Sequence, residues 1–419
     1  MILSLRRKRA NSIFLLGGFG VPNWGDELIL DKVLDSPLFQ TGGIDHAYVA
    51  TASCAISSRV HRNRSNRLSY VDAHFQAARM VQDDLADLDP ERIRSATRKL
   101  IDKRTSFWSS MQARLLLDAV EESKGVHLCG GGYLFDAWVA ALGAIGLVVF
   151  AAKEMGKPVT ASGISPVART DAGLALLGEI IDALDVLDVR DRIDPRFFDK
   201  RVREQPEKTW LSLDDAMAYA PTQITDQRPE QVKIHIQLPP IPEPLDKIRD
   251  DHFFEVVSRV TKSFDATCVF INHVGPDKKD WVAAANLAER LERAGARIDW
   301  LDLSLATPEE GLSAFETAHI AIVGRYHAMI GHLLNGVPTV SYDNGGALFN
   351  RHRSAFPLVH PDLLHVSNFA DIDETIAFVE RSIRGERDRS GFTGDHYAKA
   401  QRSKDQAYKA TLKAWSASA

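Results

Sequence analysis

The chain reads as an α/β protein made of two doubly wound, Rossmann-like domains, and three observations predict this. Short apolar runs of strand length alternate with longer helical patterns along most of the chain. The alternation comes in two sets, separated by a polar stretch that begins near Ala220 and reaches Glu230. Glycine-rich or small polar turns follow several of the runs. Such alternation implies a mostly parallel sheet, and 419 residues exceed one ordinary core, so two domains are the starting expectation.

In the first set the strand candidates are Ser12–Leu16, Ala47–Ala50, Val126–Leu128, Pro158–Ser162 and Val186–Val189. The polar stretch from Val71 to Val120 reads as two or three helices. Ala137 to Ala152 is almost wholly apolar but too short to span a bilayer, so it reads as a buried helix. The second set starts at Lys233–Leu238 and continues with Thr267–Asn272, Arg297–Trp300, Ile320–Val323 and Thr339–Tyr342. Pro239 to Pro244 reads as a stiff loop after the first of these. The domains are therefore placed at 1–222 and 231–393, followed by a polar helix over 394–419 that can cross back onto the first domain.

Three turns carry chemistry. Gly324-Arg325-Tyr326-His327 joins a buried strand to a compact helix of small and apolar residues. Ligands of open α/β sheets bind outside the carboxyl ends of the strands. The helix start adds unpaired N–H groups and a positive dipole end. Arg325 supplies a planar fork for phosphate or carboxylate, and His327 a proton that moves near neutral pH; the plainer alternative is a surface ion pair and a capping histidine. In the second turn, Ile13 to Leu16 runs into Gly17-Gly18-Phe19-Gly20, and a helix starts near Gly25 with Asp26 and Glu27 in its first turn. The spacing is neither a dinucleotide fingerprint nor a P-loop. Two carboxylates there repel phosphate and favour sugar hydroxyls. Glu27 is best explained as complementing the helix dipole; for Asp26 that reading and a hydroxyl-binding role are equally open. The third turn, Gly130-Gly131-Gly132-Tyr133-Leu134-Phe135-Asp136, follows Val126–Leu128. Its glycines allow close backbone approach, whether to a ligand or to the packed helix that follows.

Two lesser features also end strands. Val189-Arg190-Asp191-Arg192 follows an apolar run, and surface ion pairing is the usual fate of such clusters. His273, after Thr267–Asn272, is a loop histidine and a weak candidate for the site.

Composition sets limits. With 45% hydrophobic and 26% charged residues the chain is of the globular class. A net charge of −5 argues against a general nucleic-acid binder, so any anion site must be a local basic patch. Cys54, Cys129 and Cys268 lie far apart in apolar contexts, as reduced core residues of a cytoplasmic protein do. No metal-ligand spacing occurs among them, and no metal or cofactor is called for. Arg6-Arg7-Lys8-Arg9 precedes an apolar run too short for a signal peptide, so it reads as a solvated tail with at most peripheral contact with anionic lipid at the inner face of a membrane.

Asn23-Trp24-Gly25-Asp26-Glu27, Gly130 to Asp136, Val189-Arg190-Asp191 and Arg325-Tyr326-His327-Ala328 resemble, in order, the motifs of the polysaccharide pyruvyl transferase family. The resemblance covers about Ile13 to Phe349. It implies a GT-B-like pair of domains with an interdomain cleft, and transfer of a pyruvyl group from phosphoenolpyruvate to a sugar of a cell-surface polysaccharide or glycolipid. On that reading Arg325 and Arg190, with Tyr326, anchor the donor. His327 is its acid or phosphate partner. Asp26 or Asp136 orients the sugar hydroxyl, with Asn23, Gly131 and Gly132 beside the acceptor on the first domain. The chain departs from the family where a Lys often follows the last strand: Tyr342 is followed here by Asp343-Asn344-Gly345-Gly346, with Arg351 and Arg353 beyond. Two other readings stay open: a GT-B glycosyltransferase using a nucleotide sugar, and a catalytically silent glycan-binding subunit.

Overall fold

A computed structural model describes residues 11–72, 86–103, 111–220, 230–238, 245–275, 278–342, 351–367, 369–386, 392 and 394–417. The expected tail (Arg6–Arg9), most of the linker, the Pro239–Pro244 loop and Asp343–Gly346 lie outside these residues, as do the side chains of Arg351 and Arg353. The described chain forms two compact units.

The first unit holds a seven-stranded sheet of β1 (Ser12–Leu16), β2 (His46–Ala50), β3 (Leu68–Val71), β4 (Val126–Leu128), β5 (Val159–Ile164), β6 (Val186–Val189) and β7 (Thr209–Leu211), in the order β3-β2-β1-β4-β5-β6-β7. Every pairing is parallel. The inner strands are buried along their whole length, hence the continuous apolar run Ile13 to Leu16 in place of an alternating one. The apolar helix Val139–Glu154 packs against this sheet together with Leu176, Leu177, Ile180 and Ile181 of the helix Asp171–Asp182. Gly156, at φ +68°, ends the first of these helices. The strand order reverses direction at β1 and β4, and both glycine turns follow those two strands. They stand at the switch point of the sheet, where open α/β sheets bind ligands.

The second unit holds a six-stranded parallel sheet of β8 (Lys233–Gln237), β9 (Thr267–Asn272), β10 (Arg297–Asp302), β11 (Ile320–Val323), β12 (Thr339–Tyr342) and β13 (Leu364–Ser367), ordered β10-β9-β8-β11-β12-β13. Its core joins Ile234, Ile236, Ile320 and Ile322 to Phe253, Val256, Val257 and Val260 of the helix Leu245–Phe264. The switch point lies between β8 and β11, and Gly324-Arg325 follows β11. The helix Pro308–Glu316 starts with a full capping box of Thr307 and Glu310.

Pro22–Gly25 group with the second unit, because Trp24 is buried there, and Ala400–Ala419 group with the first. The last helix, Gly394–Ser416, is polar in sequence, yet Lys404, Ala407, Tyr408, Thr411 and Trp415 are buried in a helical stripe.

Candidate functional site

In the second unit, Arg325 is the cap residue of the helix Tyr326–Leu334, with extended backbone at φ −108° and ψ 137°. The turn is pinned from below, since the Gly324 N–H donates to the Gln237 carbonyl at 3.0 Å and its side-chain oxygen lies at 3.1 Å. Arg325 is half-buried and lines a pocket with Gln237, Asn272 and His273. His273 is buried, and its imidazole is held well below the ordinary histidine pKa by burial, then by the nearby Arg325, His327 and His332. It is a neutral wall of the pocket, not a cationic anchor.

His327, two residues on, is half-buried beside Tyr326, with ring centroids 5.4 Å apart. Its seat is Gly25. A Cβ on Gly25 would lie 2.2 Å from the Cβ and 2.3 Å from Nδ1 of His327, so only glycine lets the backbone approach so closely. The segment is held by Trp24, whose N–H donates to the His273 carbonyl at 2.9 Å and whose indole N–H donates to the Thr307 carbonyl at 3.2 Å. The indole stands edge-on to Phe315 at 4.9 Å. Asn23 pairs with Val274 through the backbone, and its side-chain oxygen accepts from the Gly25 N–H at 3.2 Å. Asn23 thus belongs with His327, not with the first domain where the sequence put it. Trp24 and Gly25 were motif letters in the sequence; here they shape the bed of the histidine.

Below the same helix, the His332 Nδ1 lies 2.7 Å from the Ala328 carbonyl and must donate to it. Its Nε2 is then the acceptor for His235 Nδ1 at 3.0 Å. Burial keeps both rings neutral, His332 down to about 4. This pair locks the helix onto β8.

In the first unit, Asp26 approaches the first glycine turn: a Cβ on Gly18 would lie 2.8 Å from its Oδ2. Glu27 is buried, where it accepts from the Gly20 N–H and contacts His61 Nε2, both at 2.8 Å. It staples the turn, a stronger duty than complementing a dipole. In the third turn Gly131 adopts φ +126°, open only to glycine, and Gly132 is half-exposed. The Tyr133 hydroxyl reaches the carbonyls of Cys129 at 2.6 Å and Leu16 at 3.1 Å, tying the ends of β4 and β1 together.

Two expected site residues have other work. One oxygen of Asp136 accepts from the N–H groups of Arg169 and Thr170 and from the Thr170 hydroxyl, at 2.7–2.8 Å, which anchors the start of the helix Asp171–Asp182. A buried carboxylate so engaged is a poor orienter of a sugar hydroxyl. Arg190 has a side chain only 2% exposed, bonded to Asp214 and 3.5 Å from Asp191. Two carboxylates already offset its charge, which leaves it less suited to hold a dianion. Sequence reasoning missed the centre beneath: Lys404 is fully buried, with Nζ 2.9 Å from Asp188, 2.5 Å from Asp215 and 2.9 Å from the Leu213 carbonyl. Asp215 in turn accepts from the Gly130 N–H and the Ser162 hydroxyl, both at 2.7 Å, and from the Tyr408 hydroxyl at 3.0 Å. Burial works against the Lys404 charge, but Asp188 and Asp215 outweigh it and raise its pKa. The only sequence signal was the helical spacing of 404, 408, 411 and 415. Among the described residues no group of three or more His, Cys, Asp or Glu is placed to hold a metal.

A sequence model of the polysaccharide pyruvyl transferase family matches residues 68–346, more than half of the chain. The chain belongs to that family. Three of its four motifs, those at Gly130, Arg190 and Arg325, fall inside the matched span, and Asn23–Glu27 precedes it. No match was found among curated protein sequences. Among solved structures, this pyruvyl transferase family member is similar to Anabaena Alr3699/HepE in complex with UDP, at 10% identity and a TM-score of 0.57, covering 97% of this chain and 100% of that one. It is also similar to the UDP-GlcNAc 2-epimerase from Methanocaldococcus jannaschii, at 12% identity and a TM-score of 0.54, covering 93% and 98%. At such identities the likeness is one of fold: two parallel-sheet α/β domains of GT-B-like type.

Proposed function

We propose that this family member transfers a pyruvyl group from phosphoenolpyruvate to a sugar diol of a cell-surface polysaccharide or glycolipid. The observation that carries the reading is Arg325 at the switch-point helix start with His327 seated beside it. The guanidinium and the helix N–H groups suit one anionic end of the donor. His327 as imidazolium gives a proton to the methylene carbon, which becomes the methyl group. One sugar hydroxyl adds to the adjacent carbon; the second displaces phosphate, and the ketal closes. Of the two hydroxyl protons, one replaces that given by His327 and the other leaves with phosphate. A positioned acid contributes roughly a hundred- to ten-thousand-fold. Asp26 remains the candidate for orienting a hydroxyl, with Gly131 and Gly132 beside the acceptor and Asp136 reduced to support. No helix among the described residues is long and apolar enough to cross a membrane; we place the protein in the cytoplasm, meeting its acceptor at the inner membrane face.

Because the fold relatives include a protein bound to UDP, the competing reading is a nucleotide-sugar enzyme. Titration of the intact protein with phosphoenolpyruvate and with a panel of nucleotide sugars separates the two. Saturable phosphoenolpyruvate binding that His327→Gln retains, while turnover is lost, supports the proposal. Binding of nucleotide sugars alone contradicts it.

A further inference from the structure

We propose that the second unit carries a subsite for a pyranose ring of a glycan, built from Trp281, Trp300, Asn272 and Asp302. Strands β9 and β10 pair in register, with Phe270 opposite Trp300 and Asn272 opposite Asp302. Residues two apart on a strand share a face, so one face presents an aromatic pair followed by a polar pair. Phe270 and Trp300 stack at 5.0 Å and 29°. Trp281, from the first turn of the helix Lys278–Arg293, meets Trp300 at 4.7 Å and 46°. The Asn272 amide donates to Asp302 at 3.1 Å, which fixes the two polar groups as one unit.

The two indoles are left 43% and 40% exposed, although indoles are among the side chains with most to gain from burial. They line the same pocket as His273 and Arg325. A pyranose has an apolar face of C–H groups and a rim of hydroxyls. The indoles suit the face, and the carboxylate–amide pair accepts from and donates to the rim. A nucleotide fits less well. The indoles are inclined and do not form a parallel slot for a flat base, and Asp302 repels phosphates. The inference rests on the proposed function in taking a glycan as the ligand, and it adds a place where one ring of that glycan is held.

The test is a titration of the intact protein, without donor, with oligosaccharides of hexoses and N-acetylhexosamines and separately with UDP, followed by tryptophan emission and calorimetry. Trp281→Ala should weaken oligosaccharide binding about tenfold or more, the range of single-aromatic stacking. Trp281→Phe should keep most of it, and Asp302→Asn should lose several-fold, with phosphoenolpyruvate affinity unchanged in all three. Glycan affinity untouched by Trp281→Ala and Asp302→Asn overturns the subsite. So does a parent protein that binds none of the oligosaccharides, or one in which UDP is the ligand those variants lose. Failure of the parent to bind phosphoenolpyruvate sinks the pyruvyl reading alone, since the glycan titration contains no donor.

Discussion

Arg325 and His327 sit two residues apart in different surroundings, the first lining a pocket and the second seated on Gly25. Arg325→Lys keeps the charge and removes the planar fork. Losing one charge-assisted hydrogen bond of about 1.5–3 kcal/mol should weaken phosphoenolpyruvate binding roughly ten- to a hundred-fold, with melting unchanged. Unaltered donor affinity by calorimetry counts against Arg325 as the anchor. The Gly25 contact is tested by its collision. Gly25→Ala drives a Cβ into His327 and should cost about 1–3 kcal/mol of stability. In the double variant with His327→Ala that loss should shrink, whereas activity stays absent. Additive losses in urea melts mean that the two residues do not share the site. At this scale the sequence showed the chemistry but not the packing. Arg325 and His327 stood out as a charged pair at a strand end. Nothing local in Asn23-Trp24-Gly25 shows that its indole is anchored at Thr307 and Phe315, because those partners lie about 290 residues away.

Strands buried on both faces were legible because their apolar runs are continuous. Ser12–Leu16, Val126–Leu128, Thr267–Asn272 and Ile320–Val323 begin and end where the sequence placed them. The strands that were missed, Leu68–Val71, Thr209–Leu211 and Leu364–Ser367, all lie at sheet edges, where partial exposure admits polar residues and breaks the run. In the last helix, read from sequence as a polar helix that can cross back onto the first domain, the buried stripe was not legible for a related reason: a lysine at its centre reads as a solvated face. Its burial is satisfied by Asp188, Asp215 and a carbonyl, a pattern that single-residue hydrophobicity does not reveal. Lys404→Met leaves two carboxylates buried without their cation and should destabilise the first unit by about 3–5 kcal/mol. Adding Asp188→Asn should return part of that. Because Asp215 also holds the Gly130 N–H, the single variant should loosen the glycine turn as well. Hydrogen exchange of the 130–132 amides reads this directly, and unchanged protection there would disconnect the helix from the turn.

Over the whole molecule, buried neutral histidines set the acid limit. Burial brings His127 and His332 down to about 4 and holds His235 and His273 well below the ordinary histidine value. The unfolded chain takes up the protons of His127 and His332 near pH 6.5 and the folded one only near 4. Stability is therefore complete above about pH 6.5 and drains away as the pH falls toward 4, at about 1.4 kcal/mol per pH unit for each group. Urea midpoints that stay level between about pH 7 and 5 contradict neutral burial. On the proposed function this fold, seen in a protein solved with UDP, handles phosphoenolpyruvate instead. The most direct measurement is phosphate release from phosphoenolpyruvate by the purified protein in the presence of lipid-linked or polymeric glycan, with the glycan product analysed by mass spectrometry. The account predicts acceptor-dependent phosphate release, a glycan heavier by one pyruvyl ketal, and loss of both in His327→Gln. Glycan transfer from a nucleotide sugar, with phosphoenolpyruvate left intact, would contradict it.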